Sequence, residues 1–371
     1  MQNEKKAAAP TQKWKGRKRK STPKSGFVNG IQSKLRTVVG SRAIVHHSHR
    51  FFLRFIQGLG GELKIQNWGE EKIGWITFPL NRPSLLQKAF GGTPKALQRK
   101  KRIVFIPGLG DSPVSWLPIL LPLRTLLRKE YDELVFLDFP GFGGFLSREP
   151  AFDSMDRLIA CSMDLLTRLK PEGVIGHSLG GWVAGHYASL DPENNQLRKL
   201  LLLSPSGVVG ANQKIKKDWI ERFDRVTREG FTHLRAHVFH REPFWFRLMV
   251  KDVEKFVDSP EIVSFLRSIE ERHFLTDRLS KIKAKTFLLW GEKDSLIPSE
   301  WMKEWLNHLT DEAKVSAVYL KGSGHSPHAE TPKVLTLLLG EIFLGKELLG
   351  RVPSPFWRFE LLLRNRKEKT S

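Results

Sequence analysis

The sequence predicts an α/β fold in which helices cover both faces of a mostly parallel, eight-stranded sheet. Short apolar runs recur along the chain, and each is followed by a glycine-rich or polar turn and then by a helical stretch. Such alternation is typical of parallel strands joined by crossover helices. With 40% apolar residues in a chain of 371, a sizeable core can form, which excludes wholesale disorder. The runs interpreted as parallel strands are Ile103–Ile106, Leu134–Leu137, Val174–Ile175, Leu200–Leu203, Thr286–Trp290 and Val315–Leu320.

A hairpin and a long insertion complete this plan. Glu62–Trp68 and Lys72–Pro79 alternate apolar and polar side chains on either side of Gly69–Glu71, which predicts two antiparallel strands. Farther along, residues 207–280 contain ten phenylalanines and tryptophans and show a helical pattern. Because structureless loops of that length are uncommon inside domains, we expect a helical lid inserted between strands 6 and 7.

Net charge is unevenly distributed along the chain: both ends are strongly basic, whereas the central residues carry a net charge close to that of an ordinary protein. The net charge is +22, of which residues 1–54 contribute +13, residues 345–371 contribute +4 and residues 55–344 contribute only +5. Basic, partly apolar ends are attracted to anionic membrane surfaces, so we expect a membrane of that kind as a partner. The near-neutral centre disfavours nucleic acid as a partner.

Composition also predicts where the domains begin and end. Lysine, arginine, serine and proline dominate the first residues, whereas regular apolar patterning begins near residue 61. The predicted parts are a disordered basic tail (1–30), a basic and apolar, amphipathic segment (31–60), the core (61–206 and 281–344), the helical lid (207–280) and a basic amphipathic C-terminal extension (345–371).

The cysteine content and the apolar runs bear on the compartment. Cys161 is the sole cysteine, so the chain forms no internal disulfide and offers no cysteine-based metal site. No apolar run approaches the roughly 18 residues that a membrane span needs. We expect a cytoplasmic protein, peripheral on the inner face of a membrane.

The strongest local signal is a serine between glycines. The segment Gly176–Gly181 reads GHSLGG, which satisfies the pattern G-x-S-x-G, follows a short strand and precedes a helical stretch. A strand-to-helix turn this sharp needs neighbours without side chains. It lifts the serine hydroxyl clear of the sheet and places it at a helix N-terminus, where negative charge is favoured. Ser178 is therefore the candidate nucleophile.

A serine hydroxyl needs a base and a group that orients the base. Asp294 follows the strand that ends near Trp290, and His325 follows the next strand. Because the carboxyl ends of parallel strands meet at one crevice, Ser178, Asp294 and His325 are expected to converge. Their order along the chain is the one typical of a nucleophile elbow.

The turn after the first parallel strand supplies candidate oxyanion donors. The segment Ile106–Asp111 reads IPGLGD, and its glycines allow backbone N–H groups to turn inward. We assign the two donors to the backbone amides of Leu109 and Leu179.

Over about residues 61–344 the sequence resembles the α/β-hydrolase fold superfamily, in its lid-bearing branch with a serine nucleophile. Beyond the serine turn, Asp138–Gly143 resembles that family's D-x-P-G-x-G turn, Gly291–Asp294 its acid turn and Gly324–Glu330 its histidine turn. One departure is Pro107, where the family commonly has histidine. The resemblance implies hydrolysis of a carboxylic ester through an acyl-enzyme. The aromatic lid and the basic ends favour an ester with an apolar acyl group, from a small molecule or a lipid. The triad mechanism needs no metal or organic cofactor.

Several alternatives stay open. Carbon–carbon bond hydrolases and acyltransferases share this triad, since the lid and the pocket decide the substrate. From another class, a nucleic-acid- or membrane-associated scaffold with a hydrolase-like core would use the cluster Lys13–Lys20 around Trp14.

Two clusters of side chains in the predicted lid could either bind a ligand at the active site or have only a structural role. The aromatic residues Phe244, Trp245 and Phe246 are candidates for an apolar acyl pocket. The spacing of His233, His237 and His240 could align metal ligands, but a polar lid face is the better interpretation, so we predict no metal site. His177, in the variable position of the serine turn, is expected to pack structurally.

Overall fold

The computed structural model describes residues 55–80, 100–140, 152–190, 196–209, 213–248, 250–345 and 361–362. The basic tail, most of the amphipathic segment and nearly all of the C-terminal extension lie outside these ranges, so the functions predicted for them stay predictions. The predicted domain boundaries also stay predictions. Within the described part of the chain, no helix has both the length and the apolar character that crossing a membrane requires.

The described strands form one sheet in the order β1-β2-β4-β3-β5-β6-β7-β8-β9. The hairpin strand β2 pairs antiparallel with β1 and β4, the strands from β4 to β8 are mutually parallel, and β9 pairs antiparallel with β8. This confirms the predicted mostly parallel, eight-stranded sheet, to which the two-residue β9 adds an edge. The strands are β1 (Glu62–Trp68), β2 (Glu71–Pro79), β3 (Arg102–Ile106), β4 (Glu133–Asp138), β5 (Gly173–His177), β6 (Lys199–Leu203), β7 (Lys285–Gly291), β8 (Ser316–Leu320) and β9 (Leu361–Leu362).

Helices cover the sheet because its central strands are buried on both faces. Every residue of β4 is buried, as expected for a continuous apolar run in a parallel sheet. Alternate residues of each strand join two cores: Phe105 packs with the helices α1 and α9 on one face, and Val104 with α2 and α3 on the other. The helices are α1 (Leu117–Leu127), α2 (Met155–Leu169), α3 (Leu179–Ala188), α4 (Gln213–Val238), α5 (Val250–Val257), α6 (Pro260–Arg267), α7 (Met302–His308), α8 (Pro327–Glu330) and α9 (Pro332–Leu344).

The strand order reverses beside β3, and this reversal positions the site. The chain leaves β3 for its neighbour β4, and then crosses to β5 on the other side of β3. Loops that leave the carboxyl ends of β3 and β5 therefore diverge, which opens a crevice at that edge of the sheet. The predicted serine turn follows β5, and the predicted oxyanion turn follows β3.

The segment between β6 and β7 is helical, as its pattern predicts, and it contains α4, α5 and α6. Helix α4 is kinked at Gly230, where φ is 54° and ψ is −133°. The N–H of Phe231 donates to Oδ1 of Asp258 (2.7 Å), and a β-carbon on Gly230 would lie only 2.0 Å from that same oxygen. Glycine is therefore required at the kink. That these helices act as a lid stays a prediction.

Candidate active site

Ser178 occupies the turn between β5 and α3, in a conformation that residues with side chains rarely adopt. Its φ is 53° and its ψ is −118°. Its N–H donates to the carbonyl oxygen of Leu203 (3.0 Å), and its own carbonyl accepts from the N–H groups of Gly181 (2.9 Å) and Ser206 (3.1 Å). The end of β6, the following turn and the first turn of α3 thus hold the strained serine in place.

The glycines around Ser178 are required by close backbone approach. A β-carbon on Gly176 would lie 2.4 Å from the carbonyl oxygen of Gly180, and a β-carbon on Gly180 would lie 2.2 Å from that of Ile106. A β-carbon on Gly181 would lie 2.6 Å from Cβ of Pro205. Real β-carbons do not approach other atoms so closely, so these positions exclude every other residue while the turn keeps this shape.

Asp294 and His325 form a tight, buried pair. Nδ1 of His325 lies 2.8 Å from Oδ2 of Asp294, and the side chains are 3% and 0% exposed. Because a carboxylate only accepts hydrogen bonds, Nδ1 must carry the proton, which leaves Nε2 of the neutral ring as a proton acceptor. The N–H groups of Leu296 (3.1 Å) and Ile297 (2.9 Å) donate to Oδ1 of Asp294 and fix the carboxylate.

The acid turn and the histidine turn are in direct contact. A β-carbon on Gly291 would lie 1.9 Å from the carbonyl oxygen of Gly324, so only glycine permits the approach. The N–H of Lys293 donates to the carbonyl of Ser323 (2.9 Å). This contact explains why a glycine precedes the acid in the turn after β7.

Glu330 connects the histidine turn to the helical segment. Its Oε1 accepts from the N–H of Gly324, and its Oε2 accepts from the N–H groups of His240 and Arg241, each at 2.9 Å. Burial raises the pKa of Glu330 above its ordinary value, although these hydrogen bonds act in the opposite direction. The carboxyl group is therefore a structural bridge between His325's turn and the residues that follow α4.

The predicted residues meet at one cavity of about 200 Å³. Ser178 and His325 both line it, as do Leu109 and Leu179, whereas Asp294 lies behind His325. The helices between β6 and β7 supply an apolar wall, and the segment after Asp294 contributes to it. The residues of this wall are Val226, Phe231, Leu234, Val238, Phe239, Phe246, Val253, Val257, Leu266, Ile269, Leu296 and Ile297.

The predicted aromatic pocket is only partly right. Phe246 lines the cavity and packs edge-on against Phe239, with ring centroids 4.7 Å apart. Phe244 does not line it, because its side chain is 83% exposed. Phe244 and Phe246 lie in the 3₁₀ helix Phe244–Leu248, in which side chains two residues apart point in different directions, so these two do not face the cavity together. The side chain of Trp245 lies outside the described part of the chain.

The turn predicted to carry an oxyanion donor lies against Ser178, the predicted nucleophile. A β-carbon on Gly108 would lie 3.1 Å from Cβ of Ser178, so the chain passes directly beside the serine. Leu109 follows it, and Gly110 has a φ of +71°. Leu179 is the first residue of α3, where helical N–H groups have no acceptor within the helix.

Comparison with known proteins identifies the family. Residues 103–336, more than half of the chain, match the model of the alpha/beta hydrolase family.

The chain belongs to the alpha/beta hydrolase family.

This confirms the resemblance and makes the protein a hydrolase of the α/β-hydrolase type. The uncharacterized hydrolase YugF of Bacillus subtilis (strain 168) is 25% identical to this hydrolase over 252 residues, which cover 64% of this chain and 88% of YugF.

Solved structures are similar in fold. A membrane phospholipase A, described as a bacterial virulence factor, has a TM-score of 0.61 and 20% identity, and the match covers 86% of this chain and 97% of that one. An esterase from Exiguobacterium antarcticum has a TM-score of 0.57 and 17% identity, covering 76% of this chain and 98% of that one. At these identities the similarity shows the fold alone.

The structure of this hydrolase also brings Asp111, His177 and His328 together, a cluster that sequence reasoning missed. Oδ2 of Asp111 lies 3.5 Å from Nδ1 of His177 and 3.5 Å from Nε2 of His328. The feature of the sequence that could have indicated this cluster is a second histidine, His328, three residues after His325 and at the start of α8.

Proposed function

We propose that this hydrolase cleaves a carboxylic ester with an apolar acyl group through an acyl-enzyme, with Ser178 as nucleophile, His325 as base and Asp294 as the orienting acid. The observation that carries the proposal is the 2.8 Å hydrogen bond between His325 and Asp294 beside a cavity that Ser178 and His325 line together. A base with a fixed tautomer next to a strained serine is the arrangement that acyl transfer needs.

The mechanism follows from the proton positions. Nε2 of His325 takes the proton of the Ser178 hydroxyl as its oxygen attacks the ester carbonyl, and Asp294 stabilises the imidazolium that results. The negative charge on the former carbonyl oxygen is bound by the backbone N–H groups of Leu109 and Leu179. The ester bond breaks, the alcohol leaves with the proton from His325, and Ser178 carries the acyl group. Water, deprotonated by His325, then releases the acid and restores the serine.

The cavity favours an acyl group of modest length. Its volume of about 200 Å³ is smaller than the roughly 300–1,000 Å³ typical of pockets for drug-sized ligands. Its wall is mainly apolar, and two arginines in it are paired, Arg222 with Asp218 (3.0 Å) and Arg235 with Glu242 (2.9 Å). A neutral, short or medium acyl chain fits this lining better than a charged or very long one.

Covalent labelling tests the nucleophile. A fluorophosphonate probe is expected to label the wild-type chain and to leave Ser178→Ala unlabelled, because the probe reacts only with an activated hydroxyl. Ser206→Ala is the matched control, since Ser206 also lines the cavity and the substitution keeps its N–H donor. Labelling of Ser178→Ala equal to that of the wild type would refute the assignment.

A series of p-nitrophenyl esters tests the substrate. We expect kcat/KM to be highest from butyrate to octanoate and to fall at palmitate, because the apolar cavity is small. Labelling of Ser178 without hydrolysis of any ester in the series would contradict the ester substrate and favour carbon–carbon bond hydrolysis or acyl transfer.

A further inference from the structure

Asp111, His177 and His328 form a cluster whose groups could coordinate a metal ion. They come from the turn after β3, from the end of β5 and from α8, and one potential ligand atom of each lies within 4.8 Å of the others. His177 and His328 are 3% and 2% exposed. All three residues line the cavity beside Ser178.

The spacing within the cluster is at the upper limit for hydrogen bonds. The two 3.5 Å separations from Oδ2 of Asp111 exceed the usual N–H···O range of about 2.7–3.2 Å. Among the residues that the structure describes, Oδ2 of Asp111 and Nδ1 of His177 are buried and have no hydrogen-bond partner. A buried carboxylate oxygen and a buried ring nitrogen without partners are costly, so a missing group is expected between them.

The hydrogen bond on the far side of His177 decides what kind of group is missing. Nε2 of His177 lies 2.9 Å from the carbonyl oxygen of His325, and because a carbonyl only accepts, this nitrogen carries the proton. The neutral ring then directs the lone pair of Nδ1 at the carboxylate of Asp111. Two acceptors that face each other need a positive charge between them, either a proton or a metal cation.

The distances and the chemistry favour the metal. In a tetrahedral Zn²⁺ site the N and O ligands lie about 2.0–2.2 Å from the ion, and therefore about 3.3–3.5 Å from one another. The two separations of 3.5 Å from Oδ2 of Asp111 match this spacing, and the three ligand atoms all lie within 4.8 Å of one another. The indole of Trp116 stacks on the ring of His328 with centroids 4.3 Å apart, which fixes the orientation of that ligand.

We propose that Asp111, His177 and His328 bind a divalent transition metal of the Zn²⁺ class, with its fourth position open to the cavity. Three protein ligands and one open position are typical of zinc sites that face a cleft. Metal on Nδ1 of His177 would lock the tautomer in which Nε2–H donates to the carbonyl of His325. The metal thereby steadies the turn that carries His325. The proposal goes beyond ester hydrolysis and holds whether or not Ser178 is the nucleophile.

Cobalt titration of the full chain tests the site without relying on activity. Protein stripped with a chelator is expected to bind about one equivalent of Co²⁺ and to develop the visible d–d absorption of a tetrahedral site. Zn²⁺ is expected to displace Co²⁺, which abolishes the visible absorption. It is also expected to raise the Tm of the wild-type protein, since it binds the folded state. Asp111→Asn and His328→Gln are expected to lose both effects, and circular dichroism checks that each variant is folded.

A second pair of imidazoles provides the control. His233 and His237 lie on α4 with ring centroids 4.5 Å apart, so their joint substitution by glutamine tests for adventitious binding to imidazoles outside the cluster. We expect this control to keep the cobalt spectrum and the rise in Tm. The proposal is overturned if the wild type shows no saturable spectrum, if folded Asp111→Asn keeps it, or if only the His233 and His237 substitutions remove it. Because asparagine preserves the shape of aspartate, Asp111→Asn decides the matter even where His328→Gln fails to fold.

Discussion

Two carboxylate–imidazole arrangements lie beside the cavity that Ser178 lines, and they differ in how closely their atoms approach. Asp294 and His325 are joined at 2.8 Å, whereas Asp111 stands 3.5 Å from both His177 and His328. The chemical groups are the same and all are largely buried. The difference therefore lies in the hydrogen-bond partners that each carboxylate has.

Asp294 is fully engaged by its own turn and by one histidine. Its Oδ1 accepts two backbone N–H groups and its Oδ2 accepts the ring N–H of His325. Oδ1 of Asp111 likewise accepts the N–H of Ser112 (2.8 Å), but its Oδ2 has no hydrogen-bond partner among the described residues. In the tight arrangement, Asp294 with His325, both carboxylate oxygens have hydrogen-bond partners, which suits proton transfer. In the loose arrangement, Asp111 with His177 and His328, one carboxylate oxygen has none among the described residues, which favours a bound cation.

The largest expected effect separates the two carboxylates by activity. Asp294→Asn is expected to lower kcat by about 10⁴-fold, because an amide no longer holds the catalytic tautomer of His325 or stabilises its cation. Asp111→Asn is expected to lower kcat by no more than about 100-fold, since it acts on His325 only through His177. Steady-state kinetics on a butyrate ester measure both. Equal losses of kcat in the two variants would mean that Asp111 supports His325 as strongly as Asp294 does. The two arrangements would then not differ in function.

The tight arrangement was largely readable from the sequence because its determinants are local. Gly176 to Gly181 are consecutive, and the clashes that exclude side chains there arise within one turn and its immediate neighbours. The apolar runs likewise mark the strands that deliver Asp294 and His325 to one edge. Any sequence with these local features has few other ways to bury its strands.

The loose arrangement could not be predicted, since three distant segments create it. Asp111 looked like part of a glycine turn, and His177 occupied a position where many residues fit. Only the strand order, which sets β3 beside β5, and the placement of α8 bring them to His328. The exposure of Phe244 was missed for a similar reason, because the packing of a short 3₁₀ helix decides which of its side chains faces inward.

A fourth buried histidine, His186, sharpens the comparison, since its ring nitrogen faces a carbonyl instead of a carboxylate. Nε2 of His186 lies 2.8 Å from the carbonyl oxygen of His273, and burial lowers the pKa of His186 to about 4 from an ordinary 6.5. Between about pH 6.5 and pH 4, His186 is protonated in the unfolded chain but stays neutral in the folded chain. Stability is therefore lost as the pH falls from about 6.5 to about 4, by about 3 kcal/mol in total.

Urea unfolding of the wild type and of His186→Gln between pH 7 and pH 4 measures this effect. The glutamine variant lacks the titrating ring, so the difference in free energy of unfolding between the two proteins is expected to shift by about 3 kcal/mol in favour of the variant as the pH falls. A difference that stays constant across this range would show that His186 is protonated as readily in the folded state as in the unfolded one.

The smallest expected effect concerns the hydrogen bond that links the two arrangements. Nε2–H of His177 donates to the carbonyl of His325, so loss of this donor should loosen the proposed base, His325, without removing any group proposed to react. His177→Leu is expected to lower kcat about 10-fold with little change in KM, in line with one hydrogen bond of about 1 kcal/mol. His177→Gln can still present an N–H near the same carbonyl and is expected to recover most of the activity. If leucine and glutamine reduce kcat equally, the ring of His177 acts by packing alone, and the two carboxylate–imidazole arrangements work independently.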